Sequence, residues 1–542
     1  MKSKPAIEVA TDAAPRAALI WDLDRREAAI LGAILLATLL AYLPSLKNGW
    51  VFDDTLQIVR ANPLHSWSGI GKSFIYDSWW FLNPRALPQS AYYRPLQATW
   101  FGLNYMIFGN YPAAWHLEKI ALQLIVVMLC FRLAQLLTRS STVGLLTAAL
   151  FAILPANTES VVWVSAIGEP LSTAFEMGAL CCFISRKPGW PRGRVFALML
   201  YAGALLSHET AILFAAIVAA YVFLFERNDE GSTARRIVRA VRACAPFVLL
   251  AILYMCARVN ALGLKALFGL HQAATAGVVM GFVESRPHHS LAQILMTLPM
   301  VLFAYLAVLA LPPMADPTHS IQWIMHPRPI MFISWAALVL LAAVALVLAW
   351  RSSNRRLYLF CAVWSVITIA PALNLNALWY LVDDRYLYAP SFGLSLAAAV
   401  AATRIAAAGS RVRKGIGVAI AVFVAACVVF TMKMERYWYD DVAFFQRCVE
   451  ITPYDPGYRV RLSAAMNKAG DLQGAMHVLE RGTVLDPDEI QIHLKLAEQY
   501  KMMGHVLDFQ REFMKFNELS AARVNRQRSG GNPDASEPAG VP

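Results

Sequence analysis

The 542-residue sequence is poor in charge: Asp, Glu, Lys and Arg make up 15% of it, whereas apolar residues make up 58%. Soluble domains carry about 25% charged and about 45–50% apolar residues. A single apolar core stops growing at about 250–300 residues, so one soluble fold cannot bury this excess. The composition argues against a soluble multidomain enzyme, a disordered protein and a disulfide-stapled secreted module. It predicts an integral membrane protein with many spans.

Cysteine is also scarce, and the spacing of its eight residues matches no zinc site. Seven of them lie in apolar segments, which predicts small buried hydrophobes rather than ligands. Phosphate-binding sequences of the GxGxxG and Walker types are absent, so nothing indicates a nucleotide site. The formal net charge of +12 does not predict nucleic-acid binding, because Lys and Arg collect in short loops typical of the cytoplasmic side of a membrane.

Apolar segments of about 20 residues are the sequence signal for membrane-spanning helices. Eleven candidates are present: 28–46, 116–137, 141–158, 169–185, 195–207, 209–226, 243–258, 330–350, 357–373, 390–408 and 415–432. With a cytoplasmic N-terminus, eleven spans place five basic loops in the cytoplasm: the turn between Arg132 and Arg139, 186–194, 227–242, 351–356 and 409–414. A crossing by the apolar segment 291–311 would move the last two loops to the other side. That segment is therefore predicted to be re-entrant or to lie on the surface.

The predicted fold class is all-α, with a polytopic membrane domain at 28–432 and a C-terminal α-solenoid at 437–520. In the solenoid region, Pro453 and Pro487 lie 34 residues apart, as do Gly470 and Gly504. This period is typical of the tetratricopeptide repeat. About two repeats bury little area, so they are expected to pack on the membrane domain or to bind a partner. Residues 1–27 are predicted to be a flexible cytoplasmic arm, and the polar residues 521–542 a disordered tail.

The candidate site residues all fall on the outer side in this topology. Asp53 and Asp54 directly follow the first span, and two adjacent carboxylates raise at least one pKa, which suits a general base. The alternative is that the pair only caps a surface helix. The other candidates are Tyr93, Arg94, Glu159, His208, Glu209, Arg385, Tyr386 and Tyr388.

Each of these other candidates has a structural alternative. A glutamate at the edge of an apolar helix is costly in a bilayer, which makes Glu159 a functional candidate by default. An arginine at head-group level can hold a phosphate bidentately, although Arg385 could instead pair with Asp383 or Asp384. His208 and Glu209 could form a helix-end pair that only turns the chain. Most aromatics of the first outer loop fit an interfacial belt.

Four motifs in order carry a family resemblance: Phe-Asp-Asp at 52–54, Tyr-Arg-Pro-Leu at 93–96, Leu-Pro-Ala-Asn-Thr-Glu-Ser-Val at 154–161, and Asp-Arg-Tyr-Leu-Tyr-Ala-Pro-Ser at 384–391. With the repeats that follow, this order resembles the transmembrane and tetratricopeptide-repeat-containing protein O-mannosyltransferases and their bacterial relatives. These enzymes belong to the GT-C class of glycosyltransferases. The resemblance covers roughly residues 28–510.

The resemblance implies a hexosyltransferase that uses a polyprenyl-phosphate sugar as donor and transfers it, with inversion, on the non-cytoplasmic face. Asp53 or Asp54 would be the catalytic base, Arg385 and Arg94 would bind the donor phosphate, and the other candidates would line the cavity or hold the acceptor. The acceptor would be a protein hydroxyl or an envelope glycan. The high Ala and Arg content fits a bacterium with a GC-rich genome, so the predicted location is the bacterial inner membrane, in contact with membrane lipid, with the repeats in the periplasm. No nucleic-acid partner is implied.

Three positions depart from the family pattern: Leu154 stands where relatives have His, His208 where they have Lys, and Asp383-Asp384 where they often have Ala-Glu. These changes bear on the sugar and the acceptor. No metal ligand set is assigned, although acidic pairs in related enzymes sometimes hold a divalent metal, so such a cofactor stays open. Two other functions also stay open: a membrane-anchored repeat scaffold for envelope proteins, and a transporter for a lipid-linked sugar.

Overall fold

The computed structural model describes residues 23–83, 88, 90–185, 192–226, 232–264, 289–373, 375 and 380–528. Over these ranges the chain forms helices and turns and no β-strand. It divides into two units. The membrane unit comprises the described residues up to 316 together with 321–436, and the repeat unit comprises 317–320 and 437–528.

The membrane unit contains fifteen described α-helices. They are α1 (Arg25–Tyr42), α2 (Trp67–Lys72), α3 (Pro95–Phe108), α4 (Pro112–Thr138), α5 (Ser141–Ala152), α6 (Thr158–Val162), α7 (Gly168–Ile184), α8 (Arg192–Ser207), α9 (Phe214–Phe225), α10 (Thr233–Leu262), α11 (Leu291–Ala310), α12 (Pro329–Arg351), α13 (Arg355–Ile369), α14 (Tyr388–Ala406) and α15 (Ser410–Tyr437). The last of these ends one residue beyond the unit.

Nine helices in the described ranges are long and apolar enough to cross a membrane, or ten if one bent pair counts as a span. The chain is thus a multi-pass helical membrane protein, as predicted, but the count by this measure is nine or ten rather than eleven. The predicted spans 195–207 and 209–226 are helical but short. Helix α8 has 16 residues, and Glu209–Phe225 is also shorter than the helices counted as spans. Helix α11 is long enough to cross, so only the charges of the later loops favour a re-entrant segment 291–311.

The bent pair corresponds to the predicted third span. Helix α5 ends at Ala152, and the axis turns by 62° before the segment Pro155–Val162. The break has a local cause, because a residue before proline is driven out of the helical region and proline cannot donate the next hydrogen bond. Leu154 accordingly has ψ of 124°. Every residue from 151 to 168 is buried, so this non-helical backbone is surrounded by protein.

Both ends of the described chain are helical where the sequence predicted a flexible arm and a disordered tail. The arm 1–27 was predicted to be flexible, but α1 already begins at Arg25, and Asp24 forms a capping box with Glu27. Residues 1–22 lie outside the described ranges, as do the loop residues Arg186, Lys187 and Arg227. The tail was predicted to be disordered from residue 521, which is wrong for 521–528 because the last helix continues to Arg528. Residues 529–542 lie outside the described ranges.

The repeat unit consists of α16 (Asp441–Ile451), α17 (Pro456–Lys468), α18 (Leu472–Leu485), α19 (Ile490–Met502) and α20 (Val506–Arg528). Helix α19 begins and ends 34 residues after α17, and α20 begins 34 residues after α18. Gly470 and Gly504 follow α17 and α19 with φ of +88° and +79°, the left-handed conformation that terminates helices. Ala475 and Ala497, the small residues expected where helices touch, are both buried.

Candidate functional site

A strained turn presents the first acidic residue of the Asp53-Asp54 pair. After α1 and the 3₁₀ turn Leu43–Lys47, the chain reaches Phe52, whose φ of +56° is left-handed. A bulky residue in this region costs about 1–3 kcal/mol and persists only where its surroundings fix it. The Phe52 ring stacks on Trp163 at a centroid distance of 5.7 Å, which holds the turn against the backbone before α7.

Asp54 is the anchor of this loop. Its side chain is buried, and it accepts three hydrogen bonds: Oδ2 from Val51 N at 3.1 Å, and Oδ1 from Ser165 N at 2.8 Å and Ser165 Oγ at 2.6 Å. Burial raises the pKa of Asp54 to about 7, while the three donors act in the opposite direction. Asp54 therefore fixes the loop to the segment that precedes α7.

Asp53 has a different environment. Its side chain is half-buried rather than buried, and Oδ2 accepts from Gln57 Nε2 at 3.3 Å. The Asp53 carbonyl also accepts the backbone N–H groups of Leu56 and Gln57 in the following turn. The sequence left the base as either member of the pair. Asp53 is the more exposed residue of the pair, although its Oδ1 atom is buried.

Asp54 should make the stability of the protein depend on pH. Its pKa of about 7 lies above the ordinary 3.8, so the folded chain keeps a proton that the unfolded chain releases. The resulting stabilisation is complete below about pH 3.8 and is lost as the pH rises towards about 7. As the pH is raised from about 3.8 to about 7, the melting temperature of the native chain in detergent should fall relative to that of Asp54→Asn, because the amide does not titrate. Asp53→Asn should keep the native profile, and identical profiles for native and Asp54→Asn would contradict the assignment.

Arg385 lies at the centre of a charge cluster. Its Nη1 donates to Glu159 Oε1 at 2.8 Å and its Nη2 to Asp383 Oδ2 at 2.5 Å. Its backbone N–H donates to Glu159 Oε2 at 3.2 Å. The guanidinium also lies over the rings of Trp163 and Tyr386, at 5.1 Å and 5.0 Å from their centroids. The pairing alternative for Arg385 is thus realised with Asp383, and Glu159 is its second carboxylate.

Glu169, in the first turn of α7, links this cluster to His208. Its Oε1 lies 3.3 Å from His208 Nε2 and 3.9 Å from Arg385 Nε. The close approach depends on Gly168, because a Cβ at that position would lie 2.9 Å from His208 Cδ2. On its other side, His208 Nδ1 lies 2.9 Å from Thr210 Oγ1. Glu169 was not among the sequence candidates, since it was counted as the first residue of an apolar span.

Arg94 and Glu209 form a second charge pair, with bidentate geometry. Arg94 Nε donates to Glu209 Oε2 at 2.7 Å, and Nη2 donates to Oε1 at 2.6 Å. Neighbouring Tyr93 donates its hydroxyl hydrogen to Phe74 O at 2.9 Å, while its own carbonyl accepts from Tyr254 at 3.0 Å. Arg94 and Arg385 both interact electrostatically with Glu169, so the two charge pairs belong to one site.

Of the ten predicted site residues, Tyr388 is placed away from the cluster's charged groups. It is fully buried, donates to Gln123 Oε1 and packs edge-on against Phe151 at 5.3 Å. It therefore supports the packing of α14 against α4 and α5. Tyr386, by contrast, contacts the Arg385 guanidinium, and its hydroxyl lies 3.3 Å from Nη2.

Lys119 is a second residue that the sequence reasoning missed. It lies on α4 within an apolar segment, and only 2% of its surface is exposed. The acidic groups that act on it electrostatically are Glu169, Asp54 and Glu118. The signal that could have identified both Lys119 and Glu169 is their charge, since an ionisable residue inside a membrane segment is costly and functional by default.

No group of three or more His, Cys, Asp or Glu side chains suited to a metal ion occurs in the ranges that the structure describes. The carboxylates of the cluster are instead engaged with cations and with hydrogen-bond donors. Glu159 is paired with Arg385, Glu209 with Arg94, and Asp384 accepts from Asp316 N at 3.0 Å. These donor sets do not fit a resident divalent metal, and the chemistry below involves none.

Fold and site together define a multi-pass helical membrane protein with a buried charge cluster and a helical repeat unit. No family model matches the chain. The mouse protein O-mannosyl-transferase TMTC3 is 22% identical over 526 residues, covering 91% of this chain and 55% of the mouse protein. Its human counterpart is 21% identical over 513 residues, covering 88% and 54%. The Drosophila melanogaster protein O-mannosyl-transferase Tmtc2 is 29% identical over 215 residues, covering 37% and 22%.

The resemblance stated from four motifs is thus confirmed as similarity to O-mannosyl-transferases over most of the chain. The chain spans about half the length of the two TMTC3 relatives. Among solved structures, the Archaeoglobus fulgidus oligosaccharyltransferase tethered to an acceptor peptide matches with a TM-score of 0.43 and 12% identity, covering 81% of this chain and 59% of that one. That TM-score is too low to establish a shared fold.

Proposed function

We propose that this protein is a membrane glycosyltransferase that moves a hexose, mannose-like, from a polyprenyl-phosphate donor to a hydroxyl group of a protein. The observation that carries the proposal is the presentation of Asp53. The left-handed residue Phe52 and the buried anchor Asp54 hold Asp53, the more exposed acid of the pair, in a chain similar to O-mannosyl-transferases over 91% of its length.

In the proposed reaction, an Asp53 oxygen accepts the proton of the acceptor hydroxyl. The hydroxyl oxygen forms a bond to the anomeric carbon, the bond from that carbon to the phosphate oxygen breaks, and polyprenyl phosphate leaves with the electron pair. A single in-line displacement inverts the anomeric configuration. General-base catalysis of this kind contributes about 10²–10⁴-fold to a rate. In this proposal Asp54, bound to Ser165, positions the base.

The proposed setting is the inner membrane of a bacterium, with a cytoplasmic N-terminus and the site and repeats on the periplasmic side. This orientation is supported by the five basic loops of the sequence, because Lys and Arg are enriched in loops on the cytoplasmic side of a membrane. The repeat unit supports a protein acceptor over an envelope glycan, because helical-repeat surfaces commonly bind extended peptides.

The function can be tested by transfer assays with the purified full chain in detergent. A panel of radiolabelled polyprenyl-phosphate sugars would serve as donors, and an envelope protein extract as acceptor. We expect one donor to transfer label into protease-sensitive material. Label in protease-resistant material would instead identify a glycan acceptor. If no donor gives transfer, and Asp53→Asn and native chains capture the same envelope proteins, a scaffold without catalysis replaces the enzyme.

A further inference from the structure

We propose that Lys119 binds the phosphate group of the lipid-linked donor, an inference that rests on the proposed function. Lys119 lies seven residues after the start of α4 at Pro112, about 10 Å along the helix axis. Its ammonium group is buried and has no hydrogen-bond partner in the part of the chain that the structure describes.

A buried ammonium group without hydrogen bonds is costly. Removing such a charge from water is repaid only when partners of good geometry satisfy its donors. The acidic groups near Lys119 do not do this, because they are engaged elsewhere. Asp54 accepts from Val51 and Ser165, and Glu118 accepts from Asn104. Glu169 is paired with His208 at 3.3 Å. The three N–H donors of Lys119 therefore remain for a ligand.

The two cations first expected to bind the phosphate are committed to carboxylates. Arg94 makes a bidentate pair with Glu209, and Arg385 is shared between Glu159 and Asp383. Releasing either arginine for a phosphate would leave a largely buried carboxylate without its partner, which is strongly unfavourable. Lys119 can accept an anion without breaking any hydrogen bond that the structure contains.

The acids around this position outnumber the cations, which by itself disfavours an anion. Contacts and electrostatic interactions link the acids Asp54, Glu159, Glu169, Asp383, Asp384 and Glu209 with the cations Arg94, Arg385 and Lys119. A donor phosphate entering beside so many acids needs a cation that the acids have not already neutralised. A lysine ammonium is a compact charge with three donors, a form that commonly binds phosphate.

The experiment measures binding to the full chain in lipid nanodiscs, using polyprenyl phosphate, the corresponding polyprenol without phosphate, and phosphatidic acid. We expect the native chain to bind polyprenyl phosphate more tightly than polyprenol. Lys119→Met should weaken polyprenyl phosphate binding about 10- to 100-fold, the size of a lost charged hydrogen bond, and leave polyprenol binding unchanged. The matched control is Lys72→Met, because Lys72 is an exposed lysine on α2, and it should change neither affinity.

Lys119→Met that retains the full preference for phosphate over polyprenol would overturn the assignment, whereas the proposed function would stand. A native chain without any such preference would contradict the polyprenyl-phosphate donor itself. Phosphatidic acid binding that depends equally on Lys119 would identify a general head-group site and reject the donor. If Lys119→Met does not fold, Lys119→Gln is measured in its place. A variant that weakens the binding of polyprenyl phosphate and of polyprenol equally would show that Lys119 has only a structural role, and would overturn the proposal.

Discussion

Replacing Asp53 by Asn should lower the rate of sugar transfer about 10²–10⁴-fold, which is the usual contribution of a general base. The amide keeps the size of the carboxylate and can still accept from Gln57, so the loop should keep its shape. We therefore expect the melting temperature and the donor affinity to match those of the native chain. The measurement is single-turnover transfer from the labelled donor identified in the panel.

Asp54→Asn is the matched control, because it makes the same carboxylate-to-amide change at the adjacent residue. Its effect should be seen in the pH dependence of unfolding, since Asp54 is buried and bound to Ser165. Any loss of transfer should accompany a loss of stability. If Asp54→Asn abolished transfer in a fully stable protein while Asp53→Asn remained active, the roles of the two carboxylates would be exchanged.

Removing the guanidinium of Arg385 should cost about 3–5 kcal/mol of stability, the loss expected when one partner of a buried charge cluster is deleted. Arg385→Met leaves Glu159 and Asp383, whose side chains are 2% and 5% exposed, without their common cation. Arg385→Lys should recover only part of the loss, because an ammonium group cannot reproduce the planar fork. Denaturant or thermal unfolding in detergent measures the effect, and adding Glu159→Gln to Arg385→Met should restore some stability.

A pair of equal length tests whether burial causes this loss. Lys495 and Glu498 also lie 2.8 Å apart, but their side chains are 32% and 51% exposed. Lys495→Met should change the free energy of unfolding by less than about 1 kcal/mol. Equal losses for Arg385→Met and Lys495→Met would show that burial does not control the energy of the Arg385 cluster.

Much of the fold follows from composition and period. Apolar segments near the length of a bilayer identify most of the membrane helices, and the 34-residue period of the sequence equals the spacing of α17 and α19. The number of spans does not follow, because hydropathy alone does not give helix length. Helices α8 and Glu209–Phe225 are shorter than a span, Leu291–Ala310 is long enough to be one, and the third predicted span is broken before Pro155. The prediction of disorder for 521–528 was wrong because polar composition does not exclude an extension of an existing amphipathic helix.

The site could be predicted as a set of residues but not as a set of contacts. Loop placement predicts acidic and basic residues at one end of the spans, and the structure brings Glu159, His208 and Arg385 together through contacts with each other and with Glu169. Which carboxylate pairs with which cation depends on side-chain geometry between distant segments. Arg94 meets Glu209 across 115 positions of sequence, and Arg385 meets Glu159 across 226. Single charges inside apolar runs were the signal that was overlooked.

The break after α5 has a consequence for the lipid around it. Twelve helical residues extend about 18 Å, whereas the hydrocarbon layer is about 30 Å thick. Irregular backbone is tolerated at such depth only where protein or a water-lined cavity surrounds it. Part of one leaflet is therefore displaced by protein here, and the local dielectric is higher than in hydrocarbon. The carbonyl and N–H groups freed by the break therefore face protein rather than lipid, which makes a bent span tolerable at this depth.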